Sequence, residues 1–316
     1  MFLPHAADWC ALPWSPWVPL QPGALRPVPA VPGLYRIRPA GVPELSYVGQ
    51  TGRDLRDRLA RLARQLTSTE MPFDDPHTAA PALWAWSRSD GFTWECSAAP
   101  VEGSKQERMC LEASILWRYR LETGQSTRAN HGRFHPHYAK SGMQARGVRG
   151  HLLADGATNP NGGPGTLPLR PTGEPVGRAW CGLPWSENVP IGHATAPREP
   201  GVYRLMTAGE TVLLYVGETR SLRARITSHR NTGKATLVSW STTPWAPLPF
   251  QRHELENDLI GAHHLHAGAA PTWQFGGGSS RMEGTGTRMP RPGGALGELD
   301  FGHCPNRTLP GQGTRE

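Results

Sequence analysis

The chain has 316 residues and a mass of 34.5 kDa, enough for two domains of roughly 150 residues each. Its 33 basic and 26 acidic residues leave a formal charge of +7, compatible with a polyanionic partner, and arginine supplies every cation except Lys105, Lys140 and Lys234. No apolar run approaches the roughly 18 residues of a membrane span, the N-terminus lacks the basic start of a secretory leader, and five Cys without CxxC spacing give neither a disulfide framework nor a zinc knuckle. The expectation is a cytoplasmic protein with reduced thiols and no membrane partner.

Taken in chain order, the sequence repeats itself. Trp9-Cys10-Ala11-Leu12-Pro13-Trp14-Ser15 returns as Trp180-Cys181-Gly182-Leu183-Pro184-Trp185-Ser186. Alternation over 33–38 predicts a half-buried strand, with a hairpin partner over 45–50. Leu55, Leu59 and Leu62 then mark one face of a helix, with Arg58 beside it. A third strand is expected over 92–96 and a second helix over 107–121, which carries Glu112. The same order recurs as strands over 201–206 and 212–217, a helix through Leu222, Arg225 and Ile226, a strand over 236–240, and a helix over 253–266 with Glu256. Tyr35 and Tyr47 are as far apart as Tyr203 and Tyr215; Glu112 precedes Asn130 by 18 residues, as Glu256 precedes Gln274, with Gly124 and Gly268 at the same offset between. Six landmarks in one order predict a tandem duplication.

The copies differ in one span. Fifty-four residues separate Arg58 from Glu112 but 31 separate Arg225 from Glu256, so the first copy carries a 23-residue insertion within 64–106. Residues 139–178, rich in Gly, Pro, Asn and Thr, read as an extended connector, and 277–316 as a Gly/Pro-rich tail with little secondary structure. The fold class is therefore α+β: a first domain over 1–138, a linker over 139–178, a second domain over 179–276, and the tail. Each domain runs β-β-α-β-α, a three-stranded sheet flanked by helices.

Each copy offers two Tyr on adjacent strands, an Arg on the next helix and one Glu on a later helix. That set suits phosphodiester cleavage. A carboxylate can hold Mg²⁺, which accepts one or two carboxylates plus water and phosphate oxygens. The Arg can stabilise charge developing on phosphorus. A Tyr can act as base if the cation and the Arg lower its pKa from near 10.

Gly33-Leu34-Tyr35 with Tyr47-Val48-Gly49, and Gly201-Val202-Tyr203 with Tyr215-Val216-Gly217, followed in each case by Arg and Glu, resemble the GIY-YIG nuclease family. The likeness covers about 33–131 and 201–275. It implies that Tyr35 and Tyr203 activate water, that Tyr47 and Tyr215 position the water or the phosphate, and that Arg58 and Arg225 stabilise the phosphate. By the same likeness Glu112 and Glu256 are single ligands for one Mg²⁺ (or Mn²⁺) per site, and Asn130 supports the first site. The products would carry 5′-phosphate and 3′-hydroxyl ends. Where many members have a His four residues after the Arg, the second copy has His229 and the first has Leu62; where the first copy has Asn130, the second has Gln274. The expected function is a divalent-metal-dependent DNA endonuclease in repair or restriction, RNA not excluded, built as a covalent pseudo-dimer able to cut both strands. The alternative is an inactive or half-active nuclease fold that binds DNA.

Arg133, His135, Tyr138 and Lys140 read as a basic and aromatic stretch able to contact a phosphate backbone. His135 and His137 form an HxH pair without a third ligand in view, and His263, His264 and His266 read as surface or partly buried groups. Trp9, Trp14, Trp180 and Trp185 are expected to pack the repeated lead-in onto each core, with base stacking the sharper alternative.

Overall fold

The computed structural model describes residues 3–74, 77–209, 212–230 and 236–276; the expected tail over 277–316 lies outside them. Within these residues the chain is a mixed α+β fold of five α-helices and antiparallel sheets. Strands β1 (Val18–Pro19), β2 (Gly33–Pro39), β3 (Tyr47–Thr51) and β4 (Trp94–Pro100) form one sheet in the order β1-β4-β2-β3. Helices α1 (Leu55–Leu66) and α2 (Ala80–Asp90) pack on one face, against Tyr35, Ile37 and Tyr47. Helix α3 (Lys105–Thr123) and the Trp9–Trp14 lead-in cover the other, against Leu34 and Val48. After a small pair, β5 (Tyr138–Ala139) with β6 (His151–Leu152), a second sheet assembles from β7 (Val189–Pro190), β8 (Gly201–Met206), β9 (Leu213–Thr219) and β10 (Leu237–Thr242) in the order β7-β10-β8-β9, accompanied by α4 (Leu222–Arg230) and α5 (Pro249–Ala267).

Three expectations are corrected. Each sheet has four strands, because the lead-in adds a two-residue edge strand, β1 or β7, too short for alternation to reveal. Strand β2 is covered on both faces rather than half-buried. Its Arg36 is fully buried, as is Arg204 on β8. Each guanidinium lies 4.3 Å from the centre of a lead-in indole, Trp14 or Trp185, and donates to backbone carbonyls, Pro4 (2.6 Å) and Ala6 (2.8 Å) or Pro175 (2.6 Å) and Val176 (3.2 Å). Those contacts offset part of the cost of burying the charge, and burial still lowers Arg36 to about 9. The indoles of Trp9, Trp14, Trp180 and Trp185 are therefore committed to packing, with no face left for a base. Third, residues 139–178 are not merely an extended connector. Thr166 and Leu169 are buried, and both bond to the crossing of α3 and α5.

That crossing joins the two halves. Helix α3 starts with a capping box between Ser104 and Glu107 and stops at Gly124; α5 stops at the matching Gly268, both glycines at positive φ. A Cβ on Gly261 would stand 2.9 Å from the Trp117 side chain, so a missing side chain sets how closely the helices meet. On one side of this contact Ser114 Oγ meets His264 Nδ1 at 2.6 Å; on the other Arg120 grips Asp258 at 2.8 and 3.2 Å. Aligning the repeated landmarks on Glu112 and Glu256 exchanges these pairs: Ser114 corresponds to Asp258, Arg120 to His264 and Trp117 to Gly261. Arg120 also pairs with the buried Glu254 (3.3 Å), which pairs with Arg133 (3.3 Å) and accepts from the Thr166 amide (2.7 Å). Burial pushes the Asp258 carboxyl up to about 6 although Arg120 pulls it down.

Arg120→Leu leaves two carboxylates buried without their shared cation. It should destabilise the fold by about 3–5 kcal/mol, read as a shift in the denaturant midpoint at unchanged m-value.

Candidate functional site

Strand register brings the tyrosines together. Tyr35 on β2 lies opposite Gly49 on β3, and Tyr47 is two residues from Gly49 on the same face. A Cβ on Gly49 would come within 2.6 Å of the Tyr47 ring and 2.7 Å of the Tyr35 hydroxyl. The two rings therefore close over an empty position, with centroids 5.9 Å apart at 37°. The second half repeats this with Tyr203 and Tyr215 over Gly217, 6.0 Å apart at 37°.

The first turn of the next helix delivers the arginine. Arg225 Nε donates to the Tyr203 hydroxyl at 3.0 Å, and that hydroxyl meets His229 Nε2 at 2.8 Å. In the first half Arg58 hydrogen-bonds Tyr35, while the position of His229 holds the fully buried Leu62. There the insertion supplies α2, and Thr78 just before it hydrogen-bonds Tyr47.

The glutamates ride on the crossing helices, and both face one cleft of about 350 Å³. Tyr47, Glu112, Asn130, His253, Glu256 and Gln274 line it. Asn130 clamps the edge of β3, accepting from the Val48 amide (2.9 Å) and donating to its carbonyl (2.8 Å); Gln274 accepts from Val216 (3.2 Å). After each comes a non-glycine residue at positive φ, His131 or Phe275, then Gly132 or Gly276. This turn is a repeated feature that sequence reasoning missed, because Asn-His-Gly and Gln-Phe-Gly share only their glycine. Each turn is held by the opposite half: His253 Nδ1 lies 3.0 Å from the His131 carbonyl, and Gln106 donates to the Gln274 carbonyl at 3.2 Å.

Electrostatics mark the same residues. Burial pushes the Glu112 carboxyl up to about 8, with Arg58 pulling it down; Glu256 is raised to about 7, by burial first and then by Glu218, with His253 and Arg225 opposing. His253, held by Glu218 and the His131 carbonyl, is raised. Burial raises all four phenols above their ordinary value, and Arg58 or Arg225 offsets this in part without reversing it. The expected lowering of a tyrosine by its arginine is thus outweighed. His229 is lowered by burial and by Arg225, which keeps its ring neutral and able to accept a proton. The Cys10, Cys96, Cys110 and Cys181 thiols are pushed up to about 12 by burial, so they are poor nucleophiles.

The stretch expected to touch a phosphate backbone turns mostly inward. Arg133 pairs with Glu254 and lies 5.0 Å from the Phe250 ring centre. His135 is buried against Trp86 and Tyr138, and Tyr138 packs edge-on to Trp84. Lys140 alone is exposed, 3.3 Å from Asp74. These residues carry aromatic and charge packing around α2 and the helix crossing rather than a presented surface. Of the α5 histidines, His263 is buried and bonds the Ala269 carbonyl, and His264 meets Ser114.

Among the described residues no three His, Cys, Asp or Glu side chains converge on a metal position. Each tyrosine–arginine pair is accompanied by one cleft-facing carboxylate, a donor set that suits a hard cation completing its shell with water and phosphate oxygens. The chain matches no family model, no curated protein and no solved structure.

Two predictions follow from this geometry. Gly217→Ala forces the Tyr203 and Tyr215 rings apart and should cost about 1–3 kcal/mol, visible as a lower melting temperature and an altered near-ultraviolet circular dichroism. In EDTA, the folded state holds Glu112 and Glu256 protons up to about pH 8 and 7, whereas the unfolded chain releases them near 4.5. The folded state thus binds more protons between those limits, and stability should fall as pH rises from 6.5 to 8. Below 6.5 this slope is opposed, because buried His77 (about 3) and His263 (about 4) must charge on unfolding. Melting temperatures of wild type, Glu112→Gln and Glu256→Gln across this range check it: both variants should flatten the upper limb.

Proposed function

We propose that the chain is two fused copies of one small nuclease-like domain and that it hydrolyses phosphodiester bonds of nucleic acid, DNA first, with a divalent cation. The observation that carries this reading is the twofold construction of one side-chain set: paired tyrosines over a glycine, an arginine on the phenol, and a cleft-facing glutamate whose carboxyl burial raises. A carboxyl and phenols raised in this way are costly in a purely structural role and common where chemistry is done. The net charge of +7 suits a polyanionic substrate.

Glu112 and Glu256 would hold Mg²⁺ or Mn²⁺, one at each site. When bound, the cation supplies positive charge to the phosphate and to the leaving oxygen. In the second half, Arg225 fixes the Tyr203 hydroxyl and keeps a positive charge beside the place a phosphate would take. His229 Nε2 accepts the Tyr203 proton, and Tyr203 in turn can take a proton from water, so the buried phenol passes the charge outward instead of bearing it. Asn130 and Gln274 hold the edge strands that carry the second tyrosines in register with the first.

Incubating supercoiled plasmid with the full chain and Mg²⁺ or Mn²⁺ should produce cut circles, and EDTA should abolish the cutting. Glu256→Gln should lower the rate by about 100-fold or more, the scale of losing a direct electrostatic contact to the transition state. Plasmid that is retarded on the gel but never cut, with either cation, would favour the inactive nuclease-fold binding protein instead.

A further inference from the structure

The two halves repeat the same set, but they present it differently. In the second half Tyr215 is partly exposed and Arg225 exposed, and the Tyr203 phenol has a histidine partner at 2.8 Å. In the first half Tyr35 and Tyr47 are both buried, and the site of that histidine is Leu62, with no exposure. The insertion closes over this half: Thr78 bonds the Tyr47 phenol, and α2 buries Ala80, Ala82 and Leu83 against the core that holds both tyrosines. His77 is 1 % exposed beneath the same cover. The position of Glu218 is taken by Gln50 and that of His253 by Met109, so the charged pair that braces the second site is missing from the first.

From this asymmetry we infer that the halves divide the work: the second site cuts, and the first holds an uncut phosphodiester strand beside it in the shared cleft. The inference rests on the nuclease reading above. Hydrolysis needs a proton acceptor for the attacking water. Tyr203 can hand its proton to His229, whereas the matching position beside Tyr35 is Leu62, and Tyr35 is bonded instead by Arg58, already a full cation, and by Tyr47, with the buried Glu112 acting on it as a charge. Binding needs only donors and positive charge, which Arg58 supplies directly and Glu112 would add to by holding a divalent cation. The cleft is lined by Tyr47 and Glu112 from the first half and by His253 and Glu256 from the second, so one strand lying in it meets both carboxylates. Cutting then falls on one strand, and the enzyme is a nickase.

The experiment times plasmid cleavage by the full chain and separates kcat from KM for paired variants. The expected result is open circles accumulating before any linear DNA. Arg225→Ala and Glu256→Gln should lower kcat, while Arg58→Ala and Glu112→Gln should raise KM several-fold. Thermal melts accompany each variant, and Glu112→Gln carries the first-site arm if Arg58→Ala fails to fold. A labelled single-stranded oligonucleotide titrated in EDTA gives a readout free of turnover: Arg58→Ala should weaken its affinity more than Arg225→Ala does. Linear DNA formed in one encounter, or equal kcat losses from variants in both halves, would overturn the division while leaving the nuclease reading intact. Absence of cutting by the wild type with either cation would overturn both.

Discussion

The contact on which the rest of the structure depends is the crossing of α3 and α5 at Trp117 and Gly261. Two helices can approach this closely only where one lacks a side chain, and the close approach forces everything around it to be satisfied internally. Arg120 answers two carboxylates, Asp258 and Glu254, and the backbone amides of Thr166 and Leu169 complete their hydrogen bonding. Because Glu112 and Glu256 ride on these helices, the crossing decides that both carboxylates look into one cleft. Because the turns after Asn130 and Gln274 are each held by the other half, it also couples the edge strand of one sheet to the glutamate helix of the other.

Burial sets the chemistry of the site as much as residue identity does. A phenol on a two-sided sheet is desolvated, and an adjacent arginine recovers only part of what is lost. The halves share the tyrosines, the arginine and the glutamate, and differ in how exposed that set is and in the residues around it. His229 Nε2 meets one phenol at 2.8 Å; buried Leu62 and the cover from the insertion stand by the other.

Much of this was legible in the chain. The repeat placed the strands around Tyr35, Tyr47, Tyr203 and Tyr215 and the helices of Arg58, Glu112, Arg225 and Glu256 to within a few residues, because apolar alternation and helical spacing are local signals. Other features were not. The two-residue strands β1 and β7 are too short to show a period. Arg36 and Arg204 look like solvent-facing residues of an amphipathic strand, and only the folded lead-in provides the indoles and carbonyls that bury them. Arg133, His135 and Tyr138 have the composition of a nucleic-acid contact, yet Glu254 and Trp86, distant in sequence, draw them inward.

By itself the sequence determined the repeated landmarks, the α+β class and the inventory of tyrosine, arginine and glutamate around each, since all three are written in spacing along the chain. Only the tertiary structure decided that the glutamates share one cleft, that 139–178 seals the helix crossing, and that the insertion covers one tyrosine pair and leaves the other open. These are relations between segments about 30 to 150 residues apart, such as Thr78 with Tyr47 and Trp117 with Gly261, and they are set by packing and by the need to pair buried charge, which no local pattern encodes.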